Sequence, residues 1–205
     1  DEALAAAEGA WPAVLAELDA VDAARSRFRD DSELTMLNRM AGTGAVVCWG
    51  DDGLGQSTPP ASVDGSSGSA TRVAAGLQHA CAIQSGSGGV VCWGANGSGQ
   101  STPPDSVNGT SGAATAISAG GSLSCAIQSA TDAVVCWGSN SYGAATPPDS
   151  VNGTSGTASA IAVGSSQVCA IQSGSLSVVC WGGNFYGQAT PPRPASWTSS
   201  GRTRS

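Results

Sequence analysis

The residues of this chain best suited to chemistry are its seven cysteines, which fall into two series. Cys81, Cys125 and Cys169 recur every 44 residues. Cys48, Cys92, Cys136 and Cys180 keep the same period, and each opens a Cys-Trp-Gly triplet. The first series stands 11 residues ahead of the second. Thiols so arranged either bind a metal or bond to one another. Zinc wants four ligands, and each unit offers two thiols with only His79 in addition, so no metal site is expected. If Cys81 opposes Cys92 across a hairpin at a non-hydrogen-bonded position, their Cα atoms lie about 4.5 Å apart, within disulfide reach. The expected pairs are therefore Cys81–Cys92, Cys125–Cys136 and Cys169–Cys180. Cys48 is left alone, because Leu37 occupies the position 11 residues ahead of it. The alternative is reduced thiols that pack as small apolar side chains.

Other reactive residues are few. His79 occurs once, and the matching repeat positions hold Leu123 and Gln167. A catalytic or metal-binding imidazole needs partners that such a repeat does not supply, so a structural, hydrogen-bonded histidine is expected. Asp51-Asp52-Gly53 has the look of a calcium loop. The other repeats place Ala95-Asn96, Ser139-Asn140 and Gly183-Asn184 there, which reads instead as a turn. Asn96, Asn108 and Asn152 lie in N-x-Ser/Thr sequons and are read as turn asparagines. Trp49, Trp93, Trp137 and Trp181 repeat without change, as packing between units requires. Tyr142, Phe185 and Tyr186 do not repeat, and they sit in the loop between Trp-Gly and the next glycine. Exposed aromatics on a rigid scaffold serve as interface anchors, so these three are the candidate binding residues. Packing against a neighbouring loop is the alternative. No catalytic constellation and no cofactor site is read from the chain.

The elements that must position these residues follow from the 44-residue period, which Pro59-Pro60, Pro103-Pro104, Pro147-Pro148 and Pro191-Pro192 also keep. A strict period means a repeat architecture in which each unit buries its apolar face against its neighbours. Within one unit, alternation predicts strands over Arg72 to Ala75, Ala80 to Gln84 and Val90 to Trp93, with Val73/Ala75, Ile117/Ala119 and Ile161/Val163 pointing inward. The last two strands form a hairpin whose two-residue turn falls on Gly86-Ser87. Its counterparts are Ala130-Thr131 and Gly174-Ser175, the former a poorer turn. A short fourth strand is expected around Gln100-Ser101-Thr102, ending at the proline pair. Residues 1–40 differ from the rest. Trp11, Val14, Leu15, Leu18 and Val21 form one helical stripe, and Asp30 with Glu33 caps a second helix lined by Leu34, Leu37 and Met40. The expected organisation is a helical segment over 1–40, repeats over 41–192 and a disordered tail over 193–205.

Composition narrows the function classes. Net charge is −7, all eight basic residues are arginines, and residues 41–192 carry Arg72 as their single base. Such a surface cannot neutralise phosphates, which argues against nucleic-acid binding. No apolar run is long enough for a transmembrane helix.

Ala75-Gly76-Leu77-Gln78-His79-Ala80-Cys81-Ala82-Ile83 and Cys92-Trp93-Gly94-Ala95-Asn96-Gly97-Ser98-Gly99-Gln100 resemble the bacterial form of the regulator-of-chromosome-condensation repeat. The resemblance covers 41–192 and implies an all-β repeat fold, a partial β-propeller of about 3.5 blades preceded by the short α-helical segment. Repeat one lacks its first half, so the chain has fewer blades than the family's usual ring. Ser26-Arg27-Phe28-Arg29-Asp30-Asp31-Ser32-Glu33-Leu34, with Leu37-Asn38, resembles the N-terminal signature of the FAD:protein FMN transferases of the ApbE family, over residues 14–39. That family implies a flavin pocket and a magnesium site from later segments, which have no counterpart downstream. The resulting expectation is a non-enzymatic binding module for a protein or cell-surface polymer. It would be extracytoplasmic if the cysteines are oxidised, with self-association through open blade edges. The alternatives are a fragment or fusion of a flavin transferase, or a truncated chimeric product without selected function.

Overall fold

The computed structural model describes residues 35–37, as backbone, and residues 44–191. Among the described residues, eleven strands form one two-stranded and three three-stranded antiparallel sheets. The first pairs β1 (Thr35–Leu37) with β2 (Val47–Trp49). The second is a meander of β3 (Ala70–Ala75), β4 (His79–Gln84) and β5 (Val90–Gly94). The same meander recurs in β6 (Ala114–Gly120), β7 (Leu123–Gln128) and β8 (Val134–Gly138), and in β9 (Ala158–Val163), β10 (Gln167–Gln172) and β11 (Val178–Gly182). These are the blades of a partial propeller. The leading strands stand next to one another, tied by Leu77 N–H to the Gly121 carbonyl at 3.0 Å and Val163 N–H to Ser118 Oγ at 3.0 Å.

Period-2 alternation places the core between sheets. Cys81, Ile83 and Val90 of one blade meet Ala126 and Trp137 of the next. Cys125, Ile127 and Val134 likewise meet Val168 and Ala170. Val73, Ala75, Ile117, Ile161 and Val163 line these clusters. Each leading strand carries one extra residue opposite the central strand, at Thr71, Thr115 and Ser159. Their hydroxyls turn back to the carbonyls of Ile83, Ile127 and Ile171, so the bulge adds twist without orphaning the side chain.

Four expectations are corrected. First, Thr35–Leu37 is strand, where a helix lined by Leu34, Leu37 and Met40 was expected. An unpaired β2 would leave a row of backbone donors and acceptors open, and pairing outweighs the local helical pattern. The rest of the expected helices, and the expected tail 193–205, lie outside the described residues. Second, Met36 rather than Leu37 faces Cys48. The opposed residues are thus 12 apart in sequence, against 11 for Cys81 and Cys92. Third, those loops have four residues, not two. Gly88 N–H closes onto the Gln84 carbonyl at 2.9 Å, Asp132 onto Gln128 at 3.0 Å and Leu176 onto Gln172 at 3.1 Å. The Cys81–Cys92 and Ile83–Val90 register still holds. The residue that must adopt left-handed backbone is the fourth, with φ +68° at Gly88, +54° at Asp132 and +56° at Leu176. Fourth, Gln100-Ser101-Thr102 is not a strand. Gly99 turns at φ +82°, and the bonds from Gly99 N–H to Asn96 O and Thr102 N–H to Gly99 O make successive turns.

The proline pairs lead into a device that alternation does not reveal. Pro60, Pro104 and Pro148 accept the N–H groups of Val63, Val107 and Val151 at 2.9–3.0 Å. Each turn thereby drives a fully buried valine into the gap between sheets. The carbonyls of these valines then take the N–H groups of Val46, Val90 and Val134. The signal for them was present, as an apolar residue kept at the 44-residue period inside otherwise polar loops.

Candidate functional site

The three expected cysteine pairs are disulfides, with Cα–Cα separations of 4.0, 4.0 and 4.1 Å. Direct opposition in the β4–β5, β7–β8 and β10–β11 ladders brings each pair together. Cys48 is the free cysteine of the described residues. Burial, with Asp52 nearby, pushes its thiol up to about 11, so it is protonated and unreactive at neutral pH.

His79 is fully buried, and its Nε2 lies 2.8 Å from Ser124 Oγ of the next blade. Ser124 Oγ also donates to the Gln100 carbonyl at 3.1 Å. The serine has one hydrogen, so the imidazole carries its own on Nε2 and donates it to Oγ. Nδ1 then points a bare lone pair into the core with no partner. Desolvation holds the ring at about 4, far below its ordinary range. At the next junction the equivalent residues are Leu123 and Val168, packed in one apolar cluster. One junction therefore uses a polar pair where the other uses an apolar one.

The tryptophans join blades through a repeated bond. The indole N–H of Trp93 donates to the Gln56 carbonyl at 3.0 Å, that of Trp137 to Gln100 at 2.9 Å, and that of Trp181 to Ala144 at 2.9 Å. Each bond reaches back 37 residues into the preceding repeat.

The acceptor carbonyls lie in the first three of the four loops that follow Trp-Gly. Asp52, Asn96, Asn140 and Asn184 each accept, through Oδ1, the N–H of the residue five positions on, at 2.7–2.9 Å. Asp51-Asp52-Gly53 is thus a turn like its counterparts, and the described residues hold no cluster of three metal-ligating side chains. Asn108 and Asn152 likewise cap turns, their Oδ1 atoms taking the N–H groups of Thr110 and Thr154 at 2.9 Å. In three of the Trp-Gly loops a glutamine adds a second clamp. Oε1 of Gln56, Gln100 and Gln188 accepts the N–H of Leu54, Ser98 and Tyr186, each at 2.8 Å. The third loop has Ala144 at that position and lacks the acceptor. It winds instead into a short 3-10 turn over Ser141–Gly143, with Tyr142 in left-handed backbone at φ +59°.

The candidate aromatics of this loop and the next are in contact. The Tyr142 ring packs edge-on against Phe185 of the next loop, with centroids 4.9 Å apart and planes at 88°. The two rings pack on each other across neighbouring loops and remain exposed. Tyr186 stands beside them, 96% exposed. Tyr142 and Phe185 form a small exposed aromatic ridge, and Tyr186 adjoins Phe185 in sequence. Such a ridge offers flat contact area at low entropic cost.

Comparison with known proteins agrees with this architecture. The family model described as "Regulator of chromosome condensation (RCC1) repeat" matches residues 70–100. No curated protein matches the chain, and the flavin-transferase resemblance of residues 14–39 finds no support. Among solved structures, the receptor kinase CR4 ectodomain of Physcomitrella patens is 28% identical with a TM-score of 0.54, the match covering 69% of this chain and 34% of that one. Human WBSCR16 is 18% identical with a TM-score of 0.53, over 68% of this chain and 43% of that one. Yeast RCC1 (Prp20), solved bound to Kap60, is 16% identical with a TM-score of 0.50, over 68% and 40%. The chain thus spans well under half the length of the proteins it resembles. Residues 70–100 thus match the regulator-of-chromosome-condensation repeat, and the blades share the fold of these propellers.

Proposed function

We propose that this chain is a non-enzymatic binding module that works outside the cytoplasm and grips a protein or cell-surface polymer with Tyr142, Phe185 and Tyr186. The observation that carries the reading is the Tyr142–Phe185 contact. Two rings from successive loops are held together at the surface instead of being tucked away. Burying them only on binding releases about 25 cal/mol per Å² of apolar surface. The extracytoplasmic setting rests on the three disulfides, which persist in oxidising compartments. The likeness to a receptor-kinase ectodomain supports the same setting. The test is co-sedimentation with isolated cell envelopes. The wild-type chain should pellet, while a Tyr142→Ala/Phe185→Ala/Tyr186→Ala variant with unchanged far-UV circular dichroism stays in the supernatant. Equal partitioning of the two overturns the assignment of these residues.

A further inference from the structure

The two rims of the blades differ in charge. Ala95, Ser139 and Gly183 donate their N–H groups to the carbonyls of Gln78, Ser122 and Ser166 at 2.7–2.8 Å. The Trp-Gly loops therefore share one rim with the turns between leading and central strands. The hairpin loops share the other rim with the loops that follow the proline pairs, tied by Val90 N–H to the Val107 carbonyl at 2.8 Å. Asp64, Asp105, Asp132 and Asp149 all belong to that second rim, and Arg72 pairs with Ile83 near it. On the first rim, among the described residues, the charges are Asp51 and Asp52. Their carboxylates are occupied within their own turn by Gly53, Gln56, Ser57 and Thr58. The remaining turns and loops of this rim, residues 76–78, 94–102, 120–122, 138–146, 164–166 and 182–190, contain no charged side chain.

The aromatic pair stands on the uncharged rim. Tyr142 and Phe185 are 62% and 69% exposed, because an edge-on contact covers one ring face only. This openness belongs to the repeat. The matching positions Gly97-Ser98 and Ser141-Tyr142 are exposed although a further blade follows each of them. Beside the rings, Asn140 spends its Oδ1 on Ala145 and Thr146 and keeps Nδ2 unbonded among the described residues. In the neighbouring loops Nδ2 of Asn96 and Asn184 is spent on Thr102 and Thr190, each at 2.9 Å.

Taking the ridge as the binding site proposed above, we infer that its ligand is an uncharged polysaccharide. A pyranose unit has a C–H face that packs on an aromatic ring, and hydroxyls that bond to phenols and to an amide such as Asn140 Nδ2. It carries no charge and needs none in return. An anionic polymer would lose its hydration at this rim and meet no cation. A protein partner brings charges of both signs over about 800 Å² per side, and this rim has none near the ridge to pair with them or set their register.

The experiment is retention of the full chain on beads carrying the neutral polymers dextran, mannan, laminarin or xyloglucan, with polygalacturonate as the anionic polymer. At least one neutral polymer should retain the chain, equally so at about 1 M salt, where charges are screened beyond about 3 Å. Phe185→Ala and Tyr142→Asn should each weaken that retention roughly tenfold. Asparagine accepts the left-handed backbone of position 142, so the second variant keeps the loop. Retention by polygalacturonate alone, retention abolished by salt, or retention by no neutral polymer overturns the inference. If no neutral polymer retains the chain while cell envelopes still pellet it through the three aromatics, the ligand is a protein and only the reading as a binding module survives. If both ring variants are retained as well as the wild type, the assignment of the ridge fails too.

Discussion

Exchanging His79→Leu together with Ser124→Val rebuilds the first complete blade junction with the side chains that the second already uses, Leu123 and Val168. The wild-type imidazole sits at about 4 in the folded chain and near 6.5 when unfolded. Between those values the unfolded chain binds more protons, so stability is full above about pH 6.5 and falls as pH drops toward 4. At pH 4.5 the linkage relation gives a loss of about 2.5 kcal/mol relative to pH 7.5, as an upper bound for one group. The double variant has no proton to take up there. Replacing both partners of a buried polar pair by apolar groups of similar size is nearly neutral, within about 1 kcal/mol at pH 7.5. Urea unfolding followed by tryptophan fluorescence at pH 7.5, 5.5 and 4.5, with the disulfides intact, reads both quantities. The variant should match the wild type at pH 7.5 and exceed it by about 2.5 kcal/mol at pH 4.5. An undiminished pH slope in the variant refutes the reasoning, since another group would then be the one that titrates. Ser124→Ala alone should be worse than the pair exchange at every pH, because it strips the buried Nε2 of its partner.

Three further outcomes follow from geometry. Leu176→Gly should raise stability by about 1 kcal/mol, because leucine at φ +56° is strained and glycine is not; a lower melting temperature contradicts this. Ala144→Gln restores the missing clamp, so the Tyr142 N–H should bond to the new side chain and the ring should leave Phe185. NMR reads this as loss of the upfield shift of the aromatic protons, and an unchanged spectrum counts against the clamp as the cause. Cys81→Ser with Cys92→Ser should cost roughly 3 kcal/mol, from the loop entropy of an 11-residue crosslink. A cost below about 1 kcal/mol means the reduced hairpin is already ordered in the unfolded ensemble.

Much of the blade was legible because its signals were local. The cysteine spacing fixed the β4–β5 register, and alternation identified all three strands of each meander. What escaped depended on partners distant in sequence or on backbone geometry carried by unexpected residues. Asp132 and Leu176 hold the left-handed position of the hairpin loop, but only Gly88 announces it. Gly86-Ser87 therefore drew attention to the wrong pair. β1 forms because β2 needs a neighbour, a demand that no pattern within Asp30 to Met40 expresses. At the candidate site the three aromatics could be picked out as residues that break the repeat. Packing on a neighbouring loop was one of the two expectations, but which two rings meet depends on the fold of loops 44 residues apart, where Tyr142 takes left-handed backbone.

The backward reach of the tryptophans gives the blade row a direction in time. Gln56, Gln100 and Ala144 are synthesised 37 residues before the indoles that bind them. As the chain leaves the ribosome, every acceptor is in place before its donor appears. Each new indole therefore docks onto a carbonyl that is already made. An isolated trailing blade lacks its anchor, whereas an isolated leading blade lacks only its cover. Removing a leading blade should thus be more damaging to its neighbour than removing a trailing one.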